Sequence, residues 1–273
     1  MKAKDVMTEG EGGAQASRTA VLEARGIGKT VRSGDGDLVI LRDIDLAVVS
    51  GEAVAIVGAS SGSSSLASAV IGNFGLFEGP VYLVNPKYRE IEGRRCYPSI
   101  GDLPETPDLV VITVAREHVE SSVIECASRN VGGVVIFASG YAESGLPERR
   151  AMQDRLLRIA RDADMRILGP NCVGFTNYTL QMAPNFSRNL NLRKPAGPHA
   201  IGIASQSGGM GTAVSQVTEV GVPVSHMIAT GNASDIDVAD VIAYLAEEPS
   251  CAAIVTIFEG IQSSERILQE IGR

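Results

Sequence analysis

The stretch Ala55–Val70, AIVGASSGSSSLASAV, decides how this chain is interpreted. An apolar run ends at a glycine, a turn of glycine and serine follows, and a helical pattern begins after that turn. This order is typical of a strand that leads into a phosphate-binding loop at the N-terminus of a helix. The stretch therefore predicts an α/β fold, and it raises the question of which phosphate the loop binds.

Composition narrows the classes of function. The chain has 273 residues and a formal net charge of -8, so a nucleic-acid partner is not expected, because duplex binding depends on basic side chains. No apolar run approaches the roughly 20 residues that span a bilayer, and the N-terminus lacks the apolar core of a signal peptide. The four cysteines are scattered without metal-ligand spacing. We therefore expect a cytoplasmic protein with reduced cysteines, no metal site and no membrane span.

The chain is organised as a tail, a hairpin and a long alternating region. Residues 1–19 are polar and glycine-rich, which predicts a disordered tail, and residues 20–52 contain two β-like runs around the turn SGDGD. From residue 53 onward, short apolar runs alternate with helical stretches, as in a Rossmann-like, doubly wound parallel sheet with helices on both faces. Helices are predicted at Leu66–Asn73, Val119–Arg129 and Pro147–Ala163.

A second series of elements follows the proline- and glycine-rich passage Pro195–Pro198. It has the pattern strand, helix, strand, helix, strand, so we place a domain boundary at this passage. The first domain then covers residues 53–194 and the second covers residues 195–273. Three parallel strands are few for an independent domain, which indicates that the second domain is incomplete.

One resemblance concerns the segment before the glycine-rich loop. Residues 21–58 resemble the opening of an ABC-transporter ATPase, in which a β-hairpin precedes the phosphate-binding strand. That family requires the pattern G-x-x-x-x-G-K-[ST], yet no lysine occurs between Lys29 and Lys87. The family's LSGGQ signature is also absent from the sequence. An ATP-binding ABC fragment is therefore the alternative function, and a weaker one.

The second resemblance covers the rest of the chain. From Ala53 onward the sequence resembles the NDP-forming acyl-CoA synthetases, which are relatives of the succinyl-CoA synthetase α subunit. The resemblance implies a Rossmann-like CoA-binding domain, an incomplete flavodoxin-like ligase domain, and the CoA-binding part of an ADP- or NDP-forming acid–CoA ligase. The motifs that carry it are VAIVGAS (54–60), GPVYLVNPKY (79–88), LGPNCVGF (168–175), ASQSGGMGTAV (204–214) and FEGI (258–261).

The resemblance also implies a site for coenzyme A. The ADP portion of CoA would be held by Gly58, Ala59, Ser60 and Lys87, and its adenine would be lined by Val114 and Ala115, where the family usually has proline at the latter position. Independently of the resemblance, a loop of glycine and serine lets backbone N–H groups approach phosphate oxygens, and Lys87 is placed to supply a positive charge.

The motif GPNC contributes two further CoA-binding residues by resemblance, Asn171 and Cys172. Two roles are open for Cys172. It is either a small buried apolar residue or a residue that lies beside the CoA thiol.

The motif SQSGG opens a helix after a strand, and the resemblance assigns Ser205, Ser207 and Gly208 to binding the phosphate of a phosphohistidine at this helix N-terminus. Glu259 ends a later strand, and in the family it orients that histidine. The simpler alternatives are an ordinary capped helix and a solvated glutamate.

The family's histidine lies in a loop beyond Glu259, and its ATP-grasp domain charges that histidine. The three histidines, His118, His199 and His226, match no family motif. We therefore expect the chain alone to be inactive, with ATP and Mg²⁺ entering only through an ATP-grasp subunit. The expected partners are CoA, a carboxylic acid or acyl phosphate, that subunit and, in an oligomer, further copies of the chain. A non-catalytic CoA or acyl-CoA sensor is a further alternative.

Overall fold

The computed structural model describes residues 20–33, 36–49, 53–62, 65–197, 199–260 and 264–271. The predicted tail, residues 1–19, lies outside this described part. The chain divides into two compact units, residues 1–51 and residues 52–273, which are taken separately below.

The first unit contains two strands, β1 (Ala20–Ser33) and β2 (Gly36–Val49). They pair antiparallel, and the register shifts at several points, as at β-bulges. Both strands lie within residues 20–52, the segment for which the sequence predicts a hairpin.

The second unit begins with a seven-stranded sheet in the order β5-β6-β4-β3-β7-β8-β9. The strand pairs are parallel, apart from the short hairpin of β5 and β6. All four residues of β3 are buried, because the strand is central and covered on both faces. The strands are β3 (Val54–Val57), β4 (Val81–Val84), β5 (Glu90–Ile91), β6 (Arg94–Tyr97), β7 (Leu109–Ile112), β8 (Gly133–Ile136) and β9 (Arg166–Leu168).

Helices cover both faces of this sheet, as the alternating pattern predicts. On one face lies α1 (Leu66–Asn73), whose observed bounds equal the predicted ones. On the other lie α2 (Arg116–Ser128) and α3 (Pro147–Asp162). The start of α2 precedes the prediction by three residues, because its first turn carries polar residues that continue no apolar pattern. Pro147 sits at the first position of α3, where its missing N–H costs nothing.

A second sheet has the order β10-β12-β11-β13, and its last three strands are parallel. Its helices alternate with the strands as predicted, and α5 begins with a capping box formed by Asp237 and Asp240. The elements are β10 (Gly174–Asn177), β11 (Ala200–Ser205), α4 (Gly208–Ser215), β12 (Val224–Ala229), α5 (Val238–Glu247), β13 (Cys251–Ile257) and α6 (Ser264–Ile271).

The first strand of the second sheet comes from before the predicted boundary. β10 pairs antiparallel with β12, so sheet membership changes in residues 169–173, ahead of Pro195. Pro198 itself lies outside the described residues. The proline- and glycine-rich passage forms a loop, but β10, which precedes it in the sequence, already belongs to the second sheet. No local sequence pattern predicts which sheet such a short strand joins. No described helix is both long and apolar enough to cross a lipid bilayer.

Gly174 lies where the chain enters the second sheet. Its φ is +93°, and a Cβ atom there would overlap the carbonyl oxygen of Pro184. Gly145 has a similar φ of +75°, but a Cβ atom there would meet nothing within 4 Å. An alanine would suffer backbone strain at both positions but steric overlap only at Gly174, so a comparison of the two substitutions distinguishes these effects.

We predict that Gly174→Ala lowers the free energy of unfolding by about 3 kcal/mol or more, since overlap adds to strain. The matched control Gly145→Ala should cost only about 1 kcal/mol, the ordinary penalty for a left-handed alanine. Urea denaturation measures both changes. Equal losses at the two positions would contradict the packing described for Gly174.

Candidate functional site

The carboxyl ends of β3, β4 and β7 meet at one edge of the first sheet, because these strands are parallel neighbours. Gly58 follows β3 with a φ of +89°, and a Cβ atom there would lie 2.8 Å from Thr113 Oγ1 and from Val114 Cγ1. Glycine is therefore required for the loop after β3 to pass the loop after β7. The predicted adenine-lining residues Val114 and Ala115 lie in that second loop, with Val114 directly against Gly58.

The backbone N–H groups of Gly58 and Ala59 are already used. Both donate to the carbonyl oxygen of Val84, at 2.9 and 3.3 Å. Gly58 and Ala59 thus shape the loop, and N–H groups for a phosphate would come from residues 60–62 and the start of α1. Ser60 contributes a side-chain hydrogen bond of 2.9 Å to Ser65, the residue that caps α1.

Lys87 lies at the same edge and is exposed. Asn85 connects its turn to the loop after β3: the Asn85 amide donates to Ala59 O at 2.8 Å, and Lys87 N donates to Asn85 Oδ1 at 2.9 Å. Among the described residues, no carboxylate forms an ion pair with the Lys87 ammonium. A second cation reaches this region, since Arg188 Nη2 donates to Ser65 O at 3.2 Å. The sequence offers no motif that marks Arg188.

A cavity of about 740 Å³ lies between the carboxyl edges of the two sheets. Leu66 of α1 also lines it, so the cavity extends to the helix that follows the glycine-rich loop. Gly58, Ala59, Ser60, Lys87, Val114, Ala115 and Ser205 are not among its lining residues. The predicted residues that the structure brings together there are Asn171, Cys172, Ser207, Gly208 and Glu259.

Helix α4 points its N-terminus at the cavity, with Ser207 in the capping position and Gly208 as the first helical residue. A Cβ atom at Gly208 would lie 2.9 Å from Val173, so glycine allows this close packing. Ser205 is fully buried, and its hydroxyl donates to Ser207 O at 2.7 Å. Ser205 therefore supports the helix start from behind, while Ser207 and Gly208 face the cavity with the positive end of the helix dipole.

Gln206 is a site residue that the sequence reasoning missed. Its Oε1 accepts hydrogen bonds from the backbone N–H groups of Glu259, at 2.6 Å, and Gly260, at 2.8 Å. Its own N–H donates to Ile257 O at 2.9 Å. Gln206 thus fixes the turn that presents Glu259. Its position between the two serines of SQSGG was the only sequence feature that could have identified it. The contact itself could not be predicted, because Glu259 lies 53 residues further along the chain.

A polar network crosses the cavity wall, and two of its residues were also missed. Glu143 Oε2 accepts from Asn232 Nδ2 at 2.6 Å, and Asn171 Nδ2 donates to Asn232 Oδ1 at 3.1 Å. Burial acts to raise the pKa of Glu143, but hydrogen bonds from Asn232, Gly140 and Tyr141 outweigh it and hold the pKa below its ordinary value. Glu143 is therefore an ionised carboxylate at neutral pH.

Cys172 lines the cavity yet is almost fully buried. Its Sγ lies 3.5 Å from Ile136 O and 3.6 Å from Leu168 O, and burial raises the pKa of its thiol to about 12. A thiol of this kind is protonated at neutral pH, so Cys172 is a packed residue in the cavity wall and no nucleophile. A place beside the CoA thiol stays a prediction.

The three histidines lie away from the cavity lining. His118 and His199 are exposed, while His226 is buried beside Tyr244, and burial lowers its pKa. Among the described residues, no group of three His, Cys, Asp or Glu side chains is arranged to hold a metal ion.

Comparison with known protein families gives two matches. Residues 52–178 match the CoA binding domain family, and residues 198–273 match the succinyl-CoA ligase like flavodoxin domain. The acetate–CoA ligase (ADP-forming) I of Archaeoglobus fulgidus is 34% identical over 219 residues, which are 79% of this chain and 31% of that protein. The α subunit of the acetate–CoA ligase (ADP-forming) II of Pyrococcus furiosus is 33% identical over 218 residues, which are 79% of this chain and 46% of that subunit.

A solved structure shares the fold. The dinucleotide-forming acetyl-coenzyme A synthetase 1 of Ca. Korarchaeum cryptofilum, in complex with phosphate and ADP, aligns with a TM-score of 0.72 and 30% identity. The alignment covers 80% of this chain and 47% of that one. The chain thus spans less than half the length of these relatives.

The ABC-type alternative also finds a relative, over a short stretch. The lipoprotein-releasing system ATP-binding protein LolD 1 of Caulobacter vibrioides is 44% identical over 54 residues. The match covers 20% of this chain and 23% of that protein, which is too little to show a family.

The burial of the cysteines predicts their reactivity. Cys96, Cys126 and Cys172 are buried with raised pKa values, whereas Cys251 is partly exposed. We expect a disulfide reagent such as DTNB at pH 8 to modify one thiol rapidly and the other three only on unfolding. The fast phase should vanish in Cys251→Ser. A fast phase that survives this substitution would show that a second thiol is open to solvent.

Proposed function

We propose, from the premise that residues 52–273 belong to the ADP-forming acyl-CoA synthetases, that this chain supplies the CoA site and the phosphate-receiving helix of an acid–CoA ligase. One observation carries the proposal. A single cavity is lined by Asn171 and Cys172 from the end of the first sheet and by Ser207, Gly208 and Glu259 from the second. A thiol group and a phosphate group can therefore be held within reach of each other.

The nucleotide half of CoA is proposed to lie over the edge of β3, β4 and β7. Residues 60–62 offer backbone N–H groups, and the exposed Lys87 and Arg188 offer charge for its phosphates. The adenine lies against Val114 and Ala115. From there the pantetheine arm runs past α1 to Asn171, since Leu66 belongs to the same cavity wall.

The proposed step joins CoA to an acyl phosphate. The CoA sulfur forms a bond to the acyl carbon, the bond from that carbon to the phosphate oxygen breaks, and phosphate leaves with the electron pair. The thiol proton goes to solvent or to the departing phosphate. The N–H groups at the start of α4 receive this phosphate, because the described lining residues include no lysine or arginine.

The partners belong to the proposal as well. Glu259, fixed by Gln206, is proposed to orient a phosphate-carrying histidine, and an ATP-grasp subunit with ATP and Mg²⁺ would charge that histidine. The name of one relative, a subunit alpha, supports a second subunit. Turnover with such a subunit and a carboxylic acid separates a ligase from a CoA sensor. A cytoplasmic location rests on the reduced cysteines.

Ligand choice tests the site directly. We expect CoA to bind with a micromolar dissociation constant, about -8 kcal/mol, and MgATP to bind at least about tenfold more weakly. The physical reason is that the loop after β3 has no lysine for the terminal phosphates of ATP. Isothermal titration calorimetry measures both constants. MgATP binding as tight as that of CoA would favour the ABC-type alternative.

Lys87 has its own test. If its ammonium pairs with a CoA phosphate, Lys87→Ala should cost about 1.5–3 kcal/mol of binding free energy, which is roughly ten- to 150-fold in the dissociation constant. Added salt should weaken binding by the native protein more than by the variant. Lys194→Ala, at an exposed lysine outside the site, is the matched control and should bind CoA normally. An unchanged constant for Lys87→Ala would remove this residue from the CoA site.

A further inference from the structure

Three side chains from three separate loops form a hydrogen-bonded chain along the cavity wall. Glu143 follows β8, Asn171 follows β9, and Asn232 follows β12. All three line the cavity, with 2.6 Å between Glu143 Oε2 and Asn232 Nδ2 and 3.1 Å between Asn232 Oδ1 and Asn171 Nδ2. Gln153 Oε1 is a second acceptor for Asn232 Nδ2, at 2.9 Å.

The Glu143 carboxylate fixes which group donates and which accepts in each of these hydrogen bonds. An ionised carboxylate only accepts hydrogen bonds, so the NH₂ group of Asn232 must face Glu143. The carbonyl oxygen of Asn232 is then turned toward Asn171. Since the pKa of Glu143 lies below its ordinary value, this arrangement holds throughout the neutral pH range.

The same logic sets the orientation of Asn171. Its NH₂ group donates to Asn232, which leaves its carbonyl oxygen as the atom available to the cavity. No donor among the described residues reaches that oxygen, and the residue is exposed. The Asn171 backbone is held by its N–H bond to Ala138 O, at 3.0 Å, and has a φ of +57°, which asparagine tolerates.

The loops after β9 and β12 approach each other closely, and this makes the side-chain hydrogen bonds between them possible. A Cβ atom at Gly231 would lie 2.5 Å from the backbone oxygen of Asn171 and 2.6 Å from that of Pro170. The Asn232 N–H donates to the same Pro170 oxygen at 3.0 Å. The backbone therefore places Asn232 against Asn171 before any side chain is oriented.

We propose that Glu143 is a positioning residue that acts through Asn232 to aim the Asn171 carbonyl oxygen into the cavity, where it accepts a hydrogen bond from the pantetheine arm of CoA. The donors on that arm are two amide N–H groups, one hydroxyl group and the thiol. This inference rests on the CoA site of the proposed function and deepens it. It assigns Glu143 no contact with CoA.

Substitution of Glu143 by glutamine removes the constraint on direction. A glutamine amide can donate as well as accept, so Asn232 can rotate and Asn171 can present its NH₂ group to the cavity instead. For Glu143→Gln we expect CoA to bind about five- to tenfold more weakly, the usual cost of a lost hydrogen bond. The nucleotide half of CoA, 3′-phospho-ADP, lacks the pantetheine arm and should bind as before. Glu148→Gln, at an exposed glutamate outside the cavity lining, controls for the lost charge.

Asn171→Gly tests the acceptor itself, because glycine accepts a φ of +57° and only the side chain is removed. It should weaken CoA binding to the same extent as Glu143→Gln does, again with no effect on the binding of 3′-phospho-ADP. In the Asn171→Gly background, Glu143→Gln should then add nothing, since the group it positions is gone. Calorimetry on the four proteins completes this cycle.

Two results would overturn the inference. One is equal weakening of CoA and 3′-phospho-ADP in Glu143→Gln, which would mean a general structural role. The other is a Glu143→Gln effect that persists undiminished in the Asn171→Gly background. A native protein that binds neither ligand would instead contradict the proposed function. Asn171→Gly alone still decides the acceptor if Glu143→Gln lowers stability.

Discussion

The contact between the segment 232–236 and the segment 167–170 holds the two sheets of the second unit together at their carboxyl ends. Backbone bonds run from Asn232 N to Pro170 O at 3.0 Å, from Ser234 N to Gly169 O at 3.3 Å and from Ile236 N to Ile167 O at 3.2 Å. Asp235 adds an ion pair of 2.8 Å with Arg166. Because the cavity lies between these sheet edges, this contact affects how far the lining residues of one sheet lie from those of the other. The small size of Gly231 is what permits it.

Much of the fold and part of the site could be predicted from local patterns. The bounds of α1 were correct because a serine cap and an apolar stripe mark its start and its buried face. Residues of the motifs GPNC, SQSGG and FEG line one cavity. Each motif is a short run whose residue types restrict the local backbone, and such local restrictions can be recognised from the sequence alone.

The missed residues share a different property. Gln206, Glu143 and Asn232 each form a hydrogen bond in the site with a partner 53 or more residues away, and no spacing rule connects such pairs. For the same reason, the sequence could not predict some of the tertiary contacts of the residues that it had identified. Gly58 and Ala59 give their N–H groups to Val84, and Ser205 supports a helix from behind. The crossing of β10 into the second sheet was missed because strand pairing is decided by burial over the whole unit.

Under the proposed function, the helix end at Ser207 and Gly208 would also determine how a phosphate group is held. Backbone N–H groups carry no proton that titrates near neutrality, so these donors themselves add no pH dependence to the binding of a phosphate group. Fixed peptide dipoles also attract an anion more weakly than a buried lysine or arginine would. Under the proposed function the site accepts a phosphate and releases it in every turnover, and this weaker attraction favours release, because tighter binding would slow it.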